Sequence, residues 1–205
     1  PVPSHPGALP LVGTLCCQLG DPAKGVPLLQ RSLALAENLT TRLNLAKALL
    51  DGGRVGEADA VLQKAGPSPD VWRLRGDLAK ARGDLPGAVA ALREAVRARP
   101  DYADAWNNLG NRLRELGDHA GAVEAIARAV RLSPRAATIQ LNYSRALQDA
   151  DLLEQAFEAA SEALRLAPGD AQAQLQLAKM HQAQDRFEEA KALLRQAQAK
   201  LGKDA

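Results

Sequence analysis

Proline returns in this chain at a fixed interval. Pro100, Pro134 and Pro168 lie 34 residues apart, and each closes a segment of the form Ala-Val/Leu-Arg-x-x-Pro. The same interval separates Trp72 from Trp106, Gly76 from Gly110, Gly83 from Gly117, Ala88 from Ala122 and Ala95 from Ala129. A sustained period of 20–50 residues marks a chain assembled from one supersecondary unit stacked on copies of itself. Such a unit cannot bury its apolar face alone, so neighbours supply the core.

The pattern inside one period is helical. Ala105, Trp106, Leu109, Gly110 and Leu113 follow i, i+3, i+4 spacing, which puts them on one face of a first helix, A. Gly117 suits the left-handed position that ends a helix, and Asp118 is a natural N-cap for the next. Ala122, Ile126, Ala129 and Val130 form the stripe of a second helix, B. The Gly-Asp stop-start recurs at Gly20-Asp21 and Gly83-Asp84, and Pro22 suits a first helical turn. Aromatic residues are only 3% of the chain, so the core must be packed largely with small side chains. Gly110, Ala122 and Ala129 would let two helices approach closely. Trp106 and Trp72 are expected to pack in the core, and Trp106→Ala to cost about 3–5 kcal/mol. Val, Ile and Thr never alternate as a strand requires.

The segment Trp106-x-x-Leu109-Gly110-x-x-Leu113 … Ala122-x-x-x-Ile126 … Pro134 resembles the tetratricopeptide repeat (TPR) signature, with Leu113 and Ile126 where the pattern has Tyr and Phe. The resemblance implies an all-α, right-handed superhelical solenoid of about six helix-turn-helix units, forming a single array over 1–205. With Trp106 at position 4, the units run 6–38, 39–68, 69–102, 103–136, 137–170 and 171–201. The second is four residues short, and the first and last are degenerate, as array ends are expected to be.

What the resemblance implies about function is a groove lined by the A helices, at positions 2, 5, 6, 9, 12 and 13. Position 6 reads Asn44, Leu74, Asn108, Asn142 and Gln176, and position 9 reads Lys47, Asp77, Asn111, Arg145 and Lys179. Asn107, Arg73, Lys80 and Arg114 add to the same face. A carboxamide carries both donor and acceptor, so a row of them could hold an extended peptide by its backbone. This is similar to the asparagine ladder of TPR arrays in O-linked N-acetylglucosamine transferases, and Asn107-Asn108-Leu109-Gly110-Asn111 is similar to their repeats. The consensus habit of Asn at these positions is the competing explanation, and Leu74 interrupts the ladder. Asp70, Asp77, Asp104, Glu115 and Asp149 offset the cations, so the groove selects neither an acidic nor a basic ligand by charge. A chaperone-tail clamp is not expected: Asn107, Asn111, Asn142, Gln172 and Gln176 fall on its positions, but its cationic places are empty. Affinity in the micromolar range, about −8 kcal/mol, is the expected ceiling.

Composition narrows the remaining classes. Lys and Arg exceed Asp and Glu by two, with signs interspersed and no basic stripe, so no nucleic-acid partner is expected. No apolar run reaches the ~18 residues of a membrane span, so no membrane insertion is expected. The adjacent Cys16 and Cys17 would diverge on a helix and not bridge; they read as small packed residues in a reducing, cytoplasmic setting. The motifs G-x-x-x-x-G-K-[ST], G-x-S-x-G, H-E-x-x-H and C-x-x-C do not occur. His5, His119 and His181 are scattered, and Glu158/Glu162 and Glu188-Glu189 read as solvated helix faces. Neither catalysis by this chain nor a metal or cofactor is therefore expected.

The leading expectation is a protein–protein interaction scaffold that binds a protein or peptide. The alternative is the substrate-recruiting portion of a larger bacterial sulfotransferase or glycosyltransferase: His5-Pro6-Gly7-Ala8-Leu9, with Leu15 and Gly20, is similar to the opening repeat of such fusions. Pro1-Val2-Pro3-Ser4 is neither a signal peptide nor an initiator start, which suits a trimmed chain or a fragment. The Gln-rich sixth unit suits a terminal cap, and self-association through end faces is a third possibility.

Overall fold

The computed structural model describes residues 7–201; His5, Pro6 and Pro1-Val2-Pro3-Ser4 lie outside the described residues. Among those described there are twelve α-helices and no strand. They fall into two compact units, Pro1–Pro100 and Asp101–Ala205. The first unit holds α1 (Leu9–Gln18), α2 (Pro22–Leu35), α3 (Leu39–Asp51), α4 (Val55–Gln63), α5 (Pro69–Ala81) and α6 (Leu85–Ala98). The second holds α7 (Ala103–Glu115), α8 (His119–Leu132), α9 (Ala137–Asp149), α10 (Leu153–Leu166), α11 (Ala171–Ala183) and α12 (Phe187–Leu201). Each unit is thus three helical hairpins, one per repeat, with odd-numbered helices in the A position and even-numbered ones in the B position.

Every hairpin turns the same way. At Gly117 the φ is 82°, its N–H donates to Arg114 O, and the Asp118 N–H donates to Leu113 O. This is the Schellman arrangement, and it caps the last free carbonyls of helix A. Gly20, Gly53 and Gly83 repeat it at φ of 83°, 70° and 78°. The fifth and sixth turns repeat it with Asp151 at 60° and Asp185 at 57°, non-glycine residues in the left-handed region. Helix B then starts on the expected caps. Asp21, Asp84 and Asp118 accept from the N–H groups of Lys24, Gly87 and Gly121 at 3.1, 2.8 and 2.9 Å.

Small residues set the helix spacing. A Cβ on Gly110 would lie 2.3 Å from Ile126 Cγ1, and one on Gly76 would lie 2.7 Å from Leu92 Cγ. On helix B, Ala58, Ala88, Ala122, Ala156 and Ala190 are all buried at one repeat position, and Ala65, Ala95, Ala129, Ala163 and Ala197 at another. In the short second repeat, Ala65 keeps its buried place although α4 has ended. The deletion therefore falls on helix B, leaving α4 with 9 residues where α2, α6, α8 and α10 have 14.

Position 4 departs from the expectation of a core tryptophan. Trp72 and Trp106 are only half-buried. In the neighbouring repeats the same position carries buried polar residues that tie back to the preceding helix or its exit. Gln140 and Gln174 donate to the carbonyls of Pro134 and Pro168 at 3.1 and 3.2 Å, and Arg42 donates to Glu37. Position 4 is thus a brace between consecutive repeats whose polar forms leave no trace in the hydrophobic period.

Candidate functional site

The A helices of the first unit border two adjoining clefts that are open to solvent. One, of about 320 Å³, is lined by Thr14, Cys17, Asn44, Lys47 and Asp51. The other, of about 400 Å³, is lined by Lys47, Asp51, Leu74, Asp77 and Lys80. Lys47 and Asp51 border both clefts and pair at 2.7 Å. Asn44 donates from Nδ2 to Thr14 Oγ1 at 3.0 Å, which joins α3 to α1. Arg73 pairs with Asp77 along α5 at 2.9 Å. Leu74 is 1% exposed, so the break in the amide row is a core residue. Cys16 and Cys17 are free, half-buried thiols, and burial pushes the Cys17 thiol above its ordinary value, with Cys16 adding to the shift. A thiol so placed is a packing residue, not an activated nucleophile.

In the second unit the amides link neighbouring A helices. Asn142 Nδ2 donates to Asn107 Oδ1 at 3.0 Å, joining α9 to α7. Gln176 Nε2 donates to Ser144 Oγ at 3.2 Å and Gln148 Oε1 at 2.9 Å, joining α11 to α9. Gln176 is 3% exposed, which corrects its place among the groove residues: its amide is engaged inside the unit and offers no surface to a ligand. Asn108 and Asn111 are half-buried on α7, and Lys179 is exposed on α11. Arg114 pairs with Asp149 at 3.2 Å. Arg145 donates to Gln172 Oε1 at 3.0 Å, and desolvation, followed by the neighbouring Arg114, holds its guanidinium below the usual arginine range.

Three of the position-6 amides therefore do the same first job, donating to the preceding A helix across one repeat. Asn44 and Asn142 are only half-buried, and each uses one N–H in that bond; the carbonyl oxygen and second N–H remain as hydrogen-bonding capacity. The sequence did not single out the acceptors Thr14, Ser144 and Gln148. Thr14 lies in the degenerate first repeat and Ser144 is wholly buried, so neither belongs to a recognisable row.

Among the described residues no three His, Cys, Asp or Glu side chains gather as a metal site, and no helix is long and apolar enough to cross a membrane. His119 is exposed, and His181 packs edge-on against Phe157 with ring centroids 5.1 Å apart.

Comparison with known proteins gives a consistent result. Residues 82–205 match the family model described as the cytochrome c-type biogenesis protein H TPR domain, and residues 39–64 and 69–94 match a tetratricopeptide repeat model. No curated protein matches the sequence. Among solved structures, MamA (41-end) from Desulfovibrio magneticus RS-1 is 20% identical, with a TM-score of 0.69 over 80% of this chain and 96% of that one. YrrB, described as a TPR protein with an unusual peptide-binding site, is 18% identical, with a TM-score of 0.63 over 82% of this chain and 90% of that one. The APC/C hetero-tetramer Cut9–Hcn1 gives 18% identity and a TM-score of 0.77 over 87% of this chain and 37% of that one. These likenesses establish the fold, and the matched domains are TPR scaffolds, not catalytic ones.

Proposed function

The chain belongs to the cytochrome c-type biogenesis protein H TPR-domain family, and from that premise we propose that it holds an extended polypeptide against the A helices of its repeats. The observation that carries this reading is the grouping on α7, α9 and α11 of half-buried amides at Asn107, Asn108, Asn111 and Asn142 with the cations Arg114, Arg145 and Lys179. Asn107 and Asn142, which already brace neighbouring helices, are pre-organised. Their remaining donors and acceptors meet a peptide backbone with little further loss of side-chain freedom. In the first unit the clefts beside Asn44 and Lys47 give side chains of the same polypeptide somewhere to lodge, with Arg73 on the next A helix.

We read all six hairpins as one working array. The 34-residue register runs from Trp72 to Trp106 without a shift, which supports that reading. The description of the matched family names cytochrome c-type biogenesis, so polypeptides of that assembly process are the first clients to test. YrrB, described as having an unusual peptide-binding site, supports peptide binding by this fold without placing it on the A helices.

The test is selection of a random 12-residue peptide library on the immobilised protein, followed by anisotropy titration of the recovered peptides. Micromolar binding is expected, weakened about tenfold in Asn108→Ala/Asn142→Ala at unchanged helicity, which corresponds to about 1.4 kcal/mol. Equal affinity of both proteins for every recovered peptide would remove the amides from the site.

A further inference from the structure

The third repeat departs from the packing of the second and fourth, and the departure leaves a pocket beside its helix A that Leu74 does not line. At positions 7 and 11 the A helices carry Leu45 and Leu49, Leu109 and Leu113, Tyr143 and Leu147, or Leu177 and His181. All of these are buried except Tyr143 and His181, which are half-buried. On α5 the pair is Arg75 and Ala79. Helix α5 instead buries Val71, Leu74 and Leu78. The preceding helix B, α4, is the one that is five residues shorter than its 14-residue counterparts.

The result is a cavity of about 510 Å³ within the first unit, lined by Trp72, Arg75, Ala79 and Arg82 of α5, Asp59 of α4 and Glu94 of α6. That volume falls in the range of sites that take a side chain or a small ligand. Its charges are unequally engaged. Asp59 pairs with Arg82 at 2.6 Å, Glu94 pairs with Arg97, and Asp84 at the rim caps the Gly87 N–H. Arg75 has no carboxylate among the described residues; its guanidinium lies over the Trp72 ring, 4.8 Å from the centroid. A guanidinium seated over an aromatic face can still donate from its N–H groups to a planar acceptor.

We propose that this pocket is a second docking site, which takes a large apolar side chain of a partner polypeptide together with an adjacent carboxylate. The apolar group takes the place of the leucine pair that the second and fourth repeats supply from within, and packs against Trp72 and Ala79. The carboxylate meets Arg75, the lining arginine that forms no ion pair among the described residues. The site is separate from the amide face: no residue of the proposed groove lines it, so each can fail without the other.

The experiment follows the Trp72 indole N–H in ¹⁵N–¹H spectra, assigned with Trp72→Phe, during titration with acetyl-Phe-Asp-amide. Acetyl-Phe-Lys-amide and acetyl-Ala-Asp-amide are the comparison probes. Saturable binding with Kd in about the millimolar range is expected for the first, and at least ~5-fold weaker binding for the other two. Arg75→Leu/Ala79→Leu gives α5 the leucine pair of the second and fourth repeats and should abolish the shift while keeping the helical signal and unfolding midpoint of the wild type. Ala79→Leu alone serves if the double variant does not fold. Asn108→Ala/Asn142→Ala should bind the probe as the wild type does. No movement of the Trp72 signal, equal affinity for all three probes, or undiminished binding by the filled variant would each overturn the proposal.

Discussion

Single residues decide how well each turn of the array is made. Four of the six turns place glycine in the left-handed region, whereas Asp151 and Asp185 adopt φ of 60° and 57° with a Cβ present. After Asp151 the chain also lacks the capping aspartate, because Leu152 stands where Asp84 and Asp118 stand in other repeats, and no side-chain cap forms. Asp151→Gly/Leu152→Asp should therefore raise stability by about 1–2 kcal/mol, from relief of left-handed strain and a restored cap. An unchanged or lower urea midpoint would contradict this. Gly110 shows the reverse constraint: the space for its missing Cβ is taken by Ile126. Gly110→Ala should cost about 1–3 kcal/mol by overpacking, read from the same titration.

Helices were the most legible level of this sequence. Spacing, Gly-Asp junctions and the proline period define hairpins because they depend on local backbone chemistry, and the observed boundaries fall where those signals lie. Contacts between helices were less legible. Gln140 and Gln174 stand where tryptophan stands two repeats earlier, and their side-chain N–H groups donate to the carbonyls of Pro134 and Pro168 in hydrogen bonds that no apolar pattern announces. Asn142 reads as a ladder amide or as consensus habit by position, and neither reading anticipates its bond to Asn107. Gln176 reads as a groove residue by position and is a buried brace in fact. Of the pocket over α5 the repeat pattern shows only the four-residue deletion; its juxtaposition with Arg75 and Ala79 requires the fold.

At the scale of the molecule, the account is that braced A helices present a polypeptide-binding face while B helices supply the packing behind it. Hydrogen exchange with and without a library-selected peptide tests this most directly, because it reports helix by helix. Slowed exchange in α7, α9 and α11, with α8 and α10 unchanged, is the predicted result. Protection confined to the B helices, or no protection at saturating peptide, would contradict it.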